Sequence, residues 1–257
     1  MIQLLDVNGR RLAIQSAGPE SGPVLVFLHH GLGAISSWKG QIQEFCKAGY
    51  RVLAYDRWGH GDSAHRERWS MPDFEPDVAD LECLLDQLGI QQVSLIGHSD
   101  GGNIAMHYAS KHPQMVTCLV LIAAHIYIET KMAAAIQDLI NKFESDLRFQ
   151  KRMRMVHGSK SEELFWGWYE GWSRPEIQEW DPRPVLNQIS CPTLVVQGLE
   201  DEHASPQHAQ DLASGIPNAQ LWLVPEVGHM LPQDFSHDFN RRVLEYLHQI
   251  LVIPTLG

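Results

Sequence analysis

Residues 93–110 read VSLIGHSDGGNIAMHYAS, and their pattern indicates how the centre of the chain folds. It passes from an apolar run, Val93 to Ile96, through a glycine-rich turn into a segment that favours a helix. Gly97 and Gly101 stand two residues before and two after Ser99. Glycines at these places let the backbone turn sharply enough to expose a serine hydroxyl. The stretch therefore predicts a strand, a tight turn and a helix, with Ser99 as a candidate nucleophile.

The rest of the chain alternates short apolar runs with helical patterns. Apolar residues recur at spacings of three and four between Val78 and Leu88, which is typical of a helix with one buried face, and Gly89 follows as a terminator. Short apolar runs rich in β-branched residues are typical of parallel strands buried on both faces. Five runs resemble Val93 to Ile96, namely Val24 to Leu28, Arg51 to Tyr55, Cys118 to Ile122, Thr193 to Gln197 and Gln220 to Val224.

The first residues follow a different pattern. Segments Gln3 to Val7 and Arg11 to Ala17 are joined at Asn8 and Gly9, a dipeptide that favours a tight hairpin turn. Together with the six parallel strands, the hairpin predicts an α/β fold with a mostly parallel eight-stranded sheet, an antiparallel N-terminal strand and helices on both faces. We expect a single domain over residues 1–257, since no repeat or low-complexity linker interrupts the pattern.

Composition restricts the partners. The chain of 257 residues has a net charge of −11, which argues against nucleic acid or an anionic membrane as a general partner. No apolar run approaches the roughly 20 residues needed to span a bilayer. The first residues lack a secretion signal, so we expect a cytoplasmic protein. Composition specifies no oligomeric state. Four widely spaced cysteines are expected to be reduced core residues: Cys46, Cys83, Cys118 and Cys191.

One long segment lacks strand patterns. Residues 127–185 contain two crowded helical patterns and many aromatic side chains. An aromatic-rich insertion between two sheet strands is typical of a helical cap over a binding pocket. Packing of these aromatic side chains against one another is the structural alternative. The candidate substrate contacts in the segment are Trp166, Trp168 and Trp172.

Two later segments offer partners for Ser99. A serine hydroxyl is a weak nucleophile at neutral pH, so it needs a neighbouring base and a carboxylate that orients this base. Asp201 follows the run Thr193 to Gln197, and His229 follows the run Gln220 to Val224. Because the carboxyl ends of parallel strands meet at the same edge of a sheet, we expect both residues to lie near Ser99.

Neighbouring carboxylates and histidines offer alternatives. Either glutamate that flanks Asp201 could be the acid, although the spacing from Gly198 favours Asp201. The histidine before Ser99 is expected to point to the opposite side of its strand. Two histidines after Asp201 could join it in a metal site, but such residues are also common at surface turns and helix starts. These alternatives are Glu200, Glu202, His98, His203 and His208.

The landmarks together resemble a known superfamily. His30 and Gly31 follow the first parallel strand, DRWGHGDS at residues 56–63 follows the second, and the candidate catalytic residues occur in the order serine, acid, histidine. Over nearly its whole length the chain is similar to the α/β-hydrolase superfamily. The sequence SDGG at residues 99–102, the length of the insertion and the segment 201–229 are similar to the valacyclovir-hydrolase-like (biphenyl-hydrolase-like) serine esterases.

The resemblance implies roles for individual residues. Ser99 would be the nucleophile, His229 the general base and then acid, and Asp201 the carboxylate that orients the histidine. The backbone N–H groups of Leu32 and Asp100 would stabilise the oxyanion. No cofactor or metal is implied. The partner would be a carboxylic ester, because relatives of this fold whose intermediate is an alkyl ester use an aspartate in place of the serine. The modest length and mixed aromatics of the insertion suggest a small or medium-sized substrate.

The same residues leave other functions open. Lactones, thioesters and carbon–carbon bonds are cleaved by the same triad within the superfamily. The alternative from a different class is a non-catalytic receptor that binds its ligand with the hydrolase fold.

The side chain of Asp100 has two interpretations. A carboxylate in the first turn of a helix is stabilised by unpaired N–H groups and the helix dipole, by about 0.3–1 kcal/mol. Beside the reacting carbonyl, this carboxylate could instead bind a cationic substrate group, such as the α-amino group of an amino-acid ester. The two interpretations differ in whether the charge of Asp100 serves the fold or the substrate.

Overall fold

In a computed structural model, which describes residues 2–69 and 72–251, eight strands form one sheet. The strands are β1 (Ile2–Val7), β2 (Arg10–Ala17), β3 (Val24–Leu28), β4 (Arg51–Tyr55), β5 (Val93–His98), β6 (Val116–Ile122), β7 (Thr193–Gly198) and β8 (Ala219–Val224). Their order is β1-β2-β4-β3-β5-β6-β7-β8. The pairs β1–β2 and β2–β4 are antiparallel, and all other pairs are parallel. The predicted sheet is confirmed, and its strand ends lie within two residues of the predicted ends.

Helices cover both faces of the sheet. The described residues form α1 (Lys39–Lys47), α2 (Glu75–Gln87), α3 (Asp100–Lys111), α4 (Thr130–Ser145), α5 (Leu147–His157), α6 (Ser161–Ser173), α7 (Pro206–Gly215), α8 (Leu231–Asp234) and α9 (Ser236–Ile250). Short 3-10 helices span Ile35–Trp38, Gly158–Lys160, Pro175–Glu179 and Arg183–Gln188. α1 and α9 pack on one face, while α2, α3 and α7 pack on the other. In this part of the chain, no helix combines the length and apolar character that crossing a membrane requires.

The hydrophobic core lies on both sides of the sheet. In β3, Val26 and Leu28 pack into one cluster, whereas Leu25 and Phe27 pack into the other. Because both faces are buried, the strand reads as a continuous apolar run in the sequence. The cysteines form no disulfide: Cys118 and Cys191 are buried, while Cys46 and Cys83 are half-buried.

Between β6 and β7 the chain leaves the sheet and forms α4, α5 and α6. The expectation of two helical patterns in this segment was wrong, because three helices form. Asp146 separates α4 from α5, and its extended backbone interrupts the helical path. Its side chain accepts hydrogen bonds from the N–H groups of Arg148 and Phe149, which caps the start of α5.

The turn between β5 and α3 places Ser99. Its φ of 55° and ψ of −121° lie outside the regions that most residues adopt, so the backbone is strained at this point. Close backbone contacts require glycine on both sides. A Cβ on Gly97 would lie 2.2 Å from the carbonyl oxygen of Gly101, and a Cβ on Gly101 would lie 2.1 Å from that of Leu28. The predicted strand, turn and helix are therefore present, with glycines where the turn has no room for a side chain.

We expect Gly97→Ala to destabilise the fold by about 3 kcal/mol or more, because the new methyl group would meet backbone atoms that cannot rotate away. Urea unfolding followed by circular dichroism measures this loss. Gly40→Ala in α1 is the matched control, since its Cβ would lie 3.6 Å from Ser236 Oγ, an ordinary contact. The control should be neutral or stabilising by up to about 1 kcal/mol. Equal stability of the two variants would contradict the requirement for glycine.

Candidate active site

The carboxyl ends of the parallel strands border a cavity of about 760 Å³. Ser99, which follows β5, and His229, which follows β8, both line this cavity. Asp201 follows β7, is fully buried and contacts His229. The structure thus brings together three side chains that come from three separate strand ends.

Asp201 and His229 form a tight pair. His229 Nδ1 lies 2.8 Å from Asp201 Oδ2, so Nε2 is the ring nitrogen left free to act on another group. Three further donors hold the carboxylate. The side chain of Gln197 donates to Oδ2 at 2.6 Å, and the N–H groups of His203 and Ala204 donate to Oδ1 at 2.8 and 3.2 Å. A carboxylate with this many partners holds the imidazole in one orientation.

The two glutamates beside Asp201 occupy other positions. Glu202 Oε2 accepts a hydrogen bond at 3.1 Å from the main-chain N–H of His229, so Glu202 supports the backbone rather than the ring. Glu200 is exposed. Of the three candidate acids, Asp201 is the one that bonds to the imidazole.

Pairing shifts the pKa values of both partners. Burial would lower the pKa of His229, but the charge and the hydrogen bond of Asp201 outweigh burial and raise it above the ordinary value. Burial would raise the pKa of Asp201, but the charge and the hydrogen bond of His229 lower it below the usual range. The site therefore combines an ionised carboxylate with an imidazole of raised proton affinity, as general base catalysis requires.

Three other histidines line the cavity: His30, His125 and His203. The ring centroids of His203 and His125 lie 4.5 and 5.7 Å from that of His229. Burial, reinforced by the charge of His229, lowers the pKa of His30 to about 3 and the pKa of His203 to about 4. Burial also lowers the pKa of His125. These three rings stay neutral at neutral pH, so they differ electrostatically from the carboxylate-paired His229.

The remaining histidine alternatives have structural partners. His98 Nε2 bonds at 2.9 Å to the carbonyl oxygen of His229, and thereby supports the loop that carries this residue. His208 Nδ1 accepts a hydrogen bond from the N–H of Ile126 at 3.1 Å, and its Nε2 lies 3.3 Å from a carboxylate oxygen of Glu129. Within the described part of the chain, no three histidine, cysteine or acidic side chains converge to hold a metal ion.

Two main-chain N–H groups at the cavity lack partners. Leu32 and Asp100 both line the cavity, and Asp100 is the first residue of α3, where an N–H has no acceptor within its helix. Neither N–H donates a hydrogen bond to any other described residue. Two unpaired donors beside a nucleophile are what stabilisation of an oxyanion requires.

The carboxylate of Asp100 belongs to a buried network of charges. Its Oδ2 lies 3.5 Å from Arg57 Nη2, close enough for an ion pair but without a hydrogen bond. Arg57 lies 3.8 Å from Asp77, which in turn pairs with Arg66 at 3.0 Å. Burial raises the pKa of Asp100, although the charge of Arg57 opposes this shift. Asp100 thus lines the cavity but already faces a cation within the protein.

The tryptophans of α6 divide between two environments. Trp168 and Trp172 line the cavity, as expected for substrate contacts. Trp166 does not line the cavity, which corrects the expectation for this residue. It packs against Phe143 and Phe165, with ring centroids 5.8 and 5.3 Å apart. Trp166 and Trp168 are two positions apart in the helix, about 200° around its axis, so the two rings face opposite ways.

Helices α4 and α5 supply most of the apolar lining. These side chains are Met132, Ile136, Leu139, Phe149, Met153 and Val156. Charged side chains of both signs also reach the cavity: Lys142, Asp146, Arg152, Glu202 and Asp234. The cavity therefore combines a polar reacting edge with an apolar wall.

Two residues of the site were not identified from the sequence. His125 follows β6, and a search for histidines beyond every strand end would have found it. Asp77 lies in α2, where an acidic residue in the first turn looks like an ordinary exposed one. Its burial against Arg57 and Arg66 depends on how the helix packs, and the sequence carries no signal for that.

Comparisons with known proteins bear on the fold of the chain. A family model described as the alpha/beta hydrolase fold matches residues 23–173. The serine hydrolase BPHL of Mus musculus is 30% identical over 249 residues, which cover 94% of this chain and 84% of the relative. A bifunctional esterase/perhydrolase of Acinetobacter calcoaceticus is 27% identical over 90% of this chain and 93% of its own. The crystal structure of the enol-lactonase from Burkholderia xenovorans LB400 has a TM-score of 0.79 at 23% identity, covering 96% of this chain and all of that chain (100%).

We expect the charge of Asp201 to control the pKa of His229. In the wild type, His229 should titrate above the ordinary histidine value of about 6.5. Asp201→Asn removes the charge and leaves the burial, so the pKa should fall below that value. Glu202→Gln, which removes a carboxylate bonded only to the main chain of His229, is the matched control and should lower the pKa less.

Nuclear magnetic resonance titration of the histidine side chains measures these values, with His229→Gln assigning the signal. An unchanged pKa in Asp201→Asn would show that the pair does not control the proton on His229.

Proposed function

Since this chain belongs to the α/β-hydrolase family, we propose that it is a serine hydrolase that cleaves carboxylic esters of small or medium-sized substrates. The observation that carries the proposal is that Ser99 and His229 line one cavity while the imidazole of His229 is paired with Asp201 at 2.8 Å. The three residues are the proposed nucleophile, base and orienting carboxylate. The mechanism uses no cofactor and no metal.

The first half of the reaction forms an acyl-enzyme. His229 accepts the proton of the Ser99 hydroxyl while Oγ attacks the ester carbonyl carbon. The carbonyl oxygen becomes negative, and the N–H groups of Leu32 and Asp100 donate to it; losing one such donor typically costs about 3–4 kcal/mol of transition-state stabilisation. The bond to the alcohol oxygen then breaks, and the imidazolium returns its proton to the leaving group.

The second half hydrolyses the acyl-enzyme with water. His229 accepts a proton from water as the water oxygen attacks the acyl carbon. The bond to Ser99 Oγ then breaks, the imidazolium protonates Oγ, and the carboxylic acid leaves. Asp201 stays ionised throughout and stabilises the imidazolium, a role that its lowered pKa supports.

We propose that residues 127–185 are a helical cap on a single domain that spans residues 1–257. Helices α4, α5 and α6 of this segment contribute side chains to the cavity wall, and Trp168 and Trp172 are among them. A cavity of about 760 Å³ suits a small or medium-sized ligand, and its apolar wall favours an apolar acyl or alcohol group. The partner is therefore a small-molecule ester.

The same residues would act on other acyl groups. Lactones, thioesters and the carbon–carbon bonds of diketones present a carbonyl carbon to the same nucleophile, and they remain the alternative substrates. The enol-lactonase shares the fold, but an identity of 23% says nothing about a shared substrate. A receptor of this fold is the alternative from another class. Such a protein has no need of a strained serine beside a carboxylate-paired imidazole.

We expect a fluorophosphonate reagent to label the wild type at Ser99, because the reagent phosphonylates a serine that a neighbouring base has activated. Ser99→Ala should abolish labelling, and His229→Gln should slow it by at least about a hundredfold. Mass spectrometry of tryptic peptides locates the adduct. Ser94→Ala, a buried serine of β5 that lies outside the cavity lining, is the matched control and should label normally.

Absence of labelling in the wild type would favour the receptor. Labelling that persists in Ser99→Ala would refute the nucleophile. A panel of p-nitrophenyl esters, lactones, thioesters and aminoacyl esters then ranks the substrate classes by kcat/KM.

Hydrolysis of amino-acid esters is a second candidate function. One observation favours it, namely that the buried carboxylate of Asp100 lines the cavity and that its Oδ2 makes no hydrogen bond. An ammonium group near the scissile carbonyl could fill this position. The ion pair with Arg57 at 3.5 Å opposes it, because Arg57 already compensates the charge.

A pair of substrates decides whether Asp100 selects an amine. If the carboxylate binds an α-amino group, the wild type should prefer an α-amino ester over its des-amino analogue by about tenfold or more, and Asp100→Ala should lose this preference. Asp100→Asn keeps the shape and removes the charge, and it should lose the preference as well. An unchanged ratio of kcat/KM in both variants would leave Asp100 as the structural partner of Arg57.

A further inference from the structure

Helix α5 carries a dense group of unpaired cations. Arg148, Lys151, Arg152 and Arg154 are exposed and lie within eleven residues that contain no acidic side chain. The whole chain has 20 basic and 31 acidic residues, so this helix departs sharply from the average. None of the four cations forms an ion pair with another residue in the ranges 2–69 and 72–251.

The same helix exposes two large apolar side chains. Leu147 is 78% exposed and Met155 is 76% exposed, far more than the other exposed large apolar residues of the described chain, which reach at most 49%. Single exposed apolar residues are normal on protein surfaces. Here the two lie on one helix among cations. At about 100° per residue, Leu147, Lys151 and Met155 fall within an arc of about 80°, and the arginines flank this arc.

The two sides of α5 face different surroundings. Phe149, Met153 and Val156 line the active-site cavity, and Arg152 reaches its rim. The outer face, which we define as Leu147, Arg148, Lys151, Arg154 and Met155, is absent from the cavity lining. A surface that covers the outer face would therefore lie directly beside the cavity.

Exposed apolar residues continue from α5 onto strand β1 of the sheet. Ile2 of β1 is 46% exposed and borders the same surface depression as Met155. Lys39 of α1 borders this depression as well. Exposed apolar and basic side chains are thus combined on one flank of the molecule, together with one exposed carboxylate, Asp62.

We propose that the outer face of α5 docks on an anionic lipid surface. Cations beside projecting aliphatic side chains are the combination that binds such a surface, since the charges attract the headgroups while the aliphatic groups enter the boundary with the acyl chains. A lipid surface fits better than an acidic protein. Leu147 and Met155 project from a convex helix, and a deformable layer can surround them without a matching pocket.

The proposal revises the expectation that net charge excludes an anionic membrane. The net charge determines the long-range force between the whole molecule and an anionic surface, and at −11 this force is repulsive. Docking depends on the charges within a Debye length of the surface, about 8 Å at physiological ionic strength. The acidic surfaces of the protein then help to orient the docked molecule, because the flank with α5 approaches the lipid more favourably than they do.

Vesicle flotation of the purified full chain tests the proposal. We expect binding to phosphatidylcholine vesicles that contain about 30% phosphatidylglycerol, and no binding to phosphatidylcholine alone. The double variant Lys151→Glu and Arg154→Glu should weaken binding by at least about thirtyfold. Leu147→Ser with Met155→Ser should weaken it by about tenfold. Raising the salt to about 0.5 M should weaken binding of the wild type.

The matched control changes net charge equally on a distant surface. Arg241 and Arg242 lie in α9, which packs on the sheet and borders neither the cavity nor the depression beside Met155, so Arg241→Glu with Arg242→Glu should bind vesicles like the wild type. Circular dichroism confirms folding of each variant. Failure to bind anionic vesicles, or equal loss in the control, overturns the proposal.

Flotation needs no catalysis, so its outcome is independent of the proposed hydrolase function. Fluorophosphonate labelling of the same variants in the absence of vesicles should match the wild type, because the substituted residues do not line the cavity.

Discussion

A close approach of two backbone segments at the carboxyl edge of the sheet is the constraint on which the site depends. Gly101 lies so near the carbonyl group of Leu28 that no side chain fits between them. The contact holds the loop after β3, which contains Leu32, against the turn that contains Ser99 and Asp100. The candidate oxyanion donors and the hydroxyl thus take their relative positions from backbone packing. Variation in side chains elsewhere changes the wall of the cavity without moving these groups.

Burial then determines which groups at this edge carry charge. Removing water penalises every isolated charge, so a charge persists where the protein supplies a partner. Among the cavity histidines, His229 has a carboxylate partner and a raised pKa. His203 lies 4.0 Å from a carboxylate oxygen of Glu202, a weaker pairing than the 2.8 Å contact of His229, and burial lowers the pKa values of His30, His125 and His203. A cluster of four imidazoles therefore contains one that differs in proton affinity, and pairing with Asp201 causes the difference.

The same rule accounts for the buried network under Asp100. Burial raises the pKa of Asp100, the charge of Arg57 at 3.5 Å opposes this shift, and Arg57 itself lies 3.8 Å from Asp77. This arrangement gives the carboxylate a structural role that the helix dipole alone would not require. A cationic substrate group would have to compete with Arg57 for it. The free energy lost by weakening the ion pair with Arg57 would limit how strongly Asp100 favours a substrate with an amino group.

The sequence carried enough information for the sheet and for the candidate triad. Apolar runs mark strands because both faces of the sheet are buried, and strand order then brings the residues after β5, β7 and β8 to one edge. Tertiary packing of the insertion was less predictable. The N-cap of Asp146 divides one helical pattern in two, and this depends on a hydrogen bond that periodicity does not reveal. The expectation that Trp166 contacts the substrate was wrong, and the helical spacing already argued against it. Trp168 and Trp172 share one face of the helix, and Trp166 lies on another face.

Helix α5 shows why composition alone misleads about surfaces. A net charge of −11 is a sum over the whole chain, whereas binding at a surface depends on the few side chains that reach it. The eleven residues of α5 divide into two sets that lie on opposite sides of the helix axis. Side chains turned inward form the wall of the cavity, and those turned outward expose aliphatic groups among cations that have no acidic neighbours on the helix. Because both sets project from the same helix, any partner bound outside lies within a helix diameter, about 10 Å, of the cavity where the ester would react.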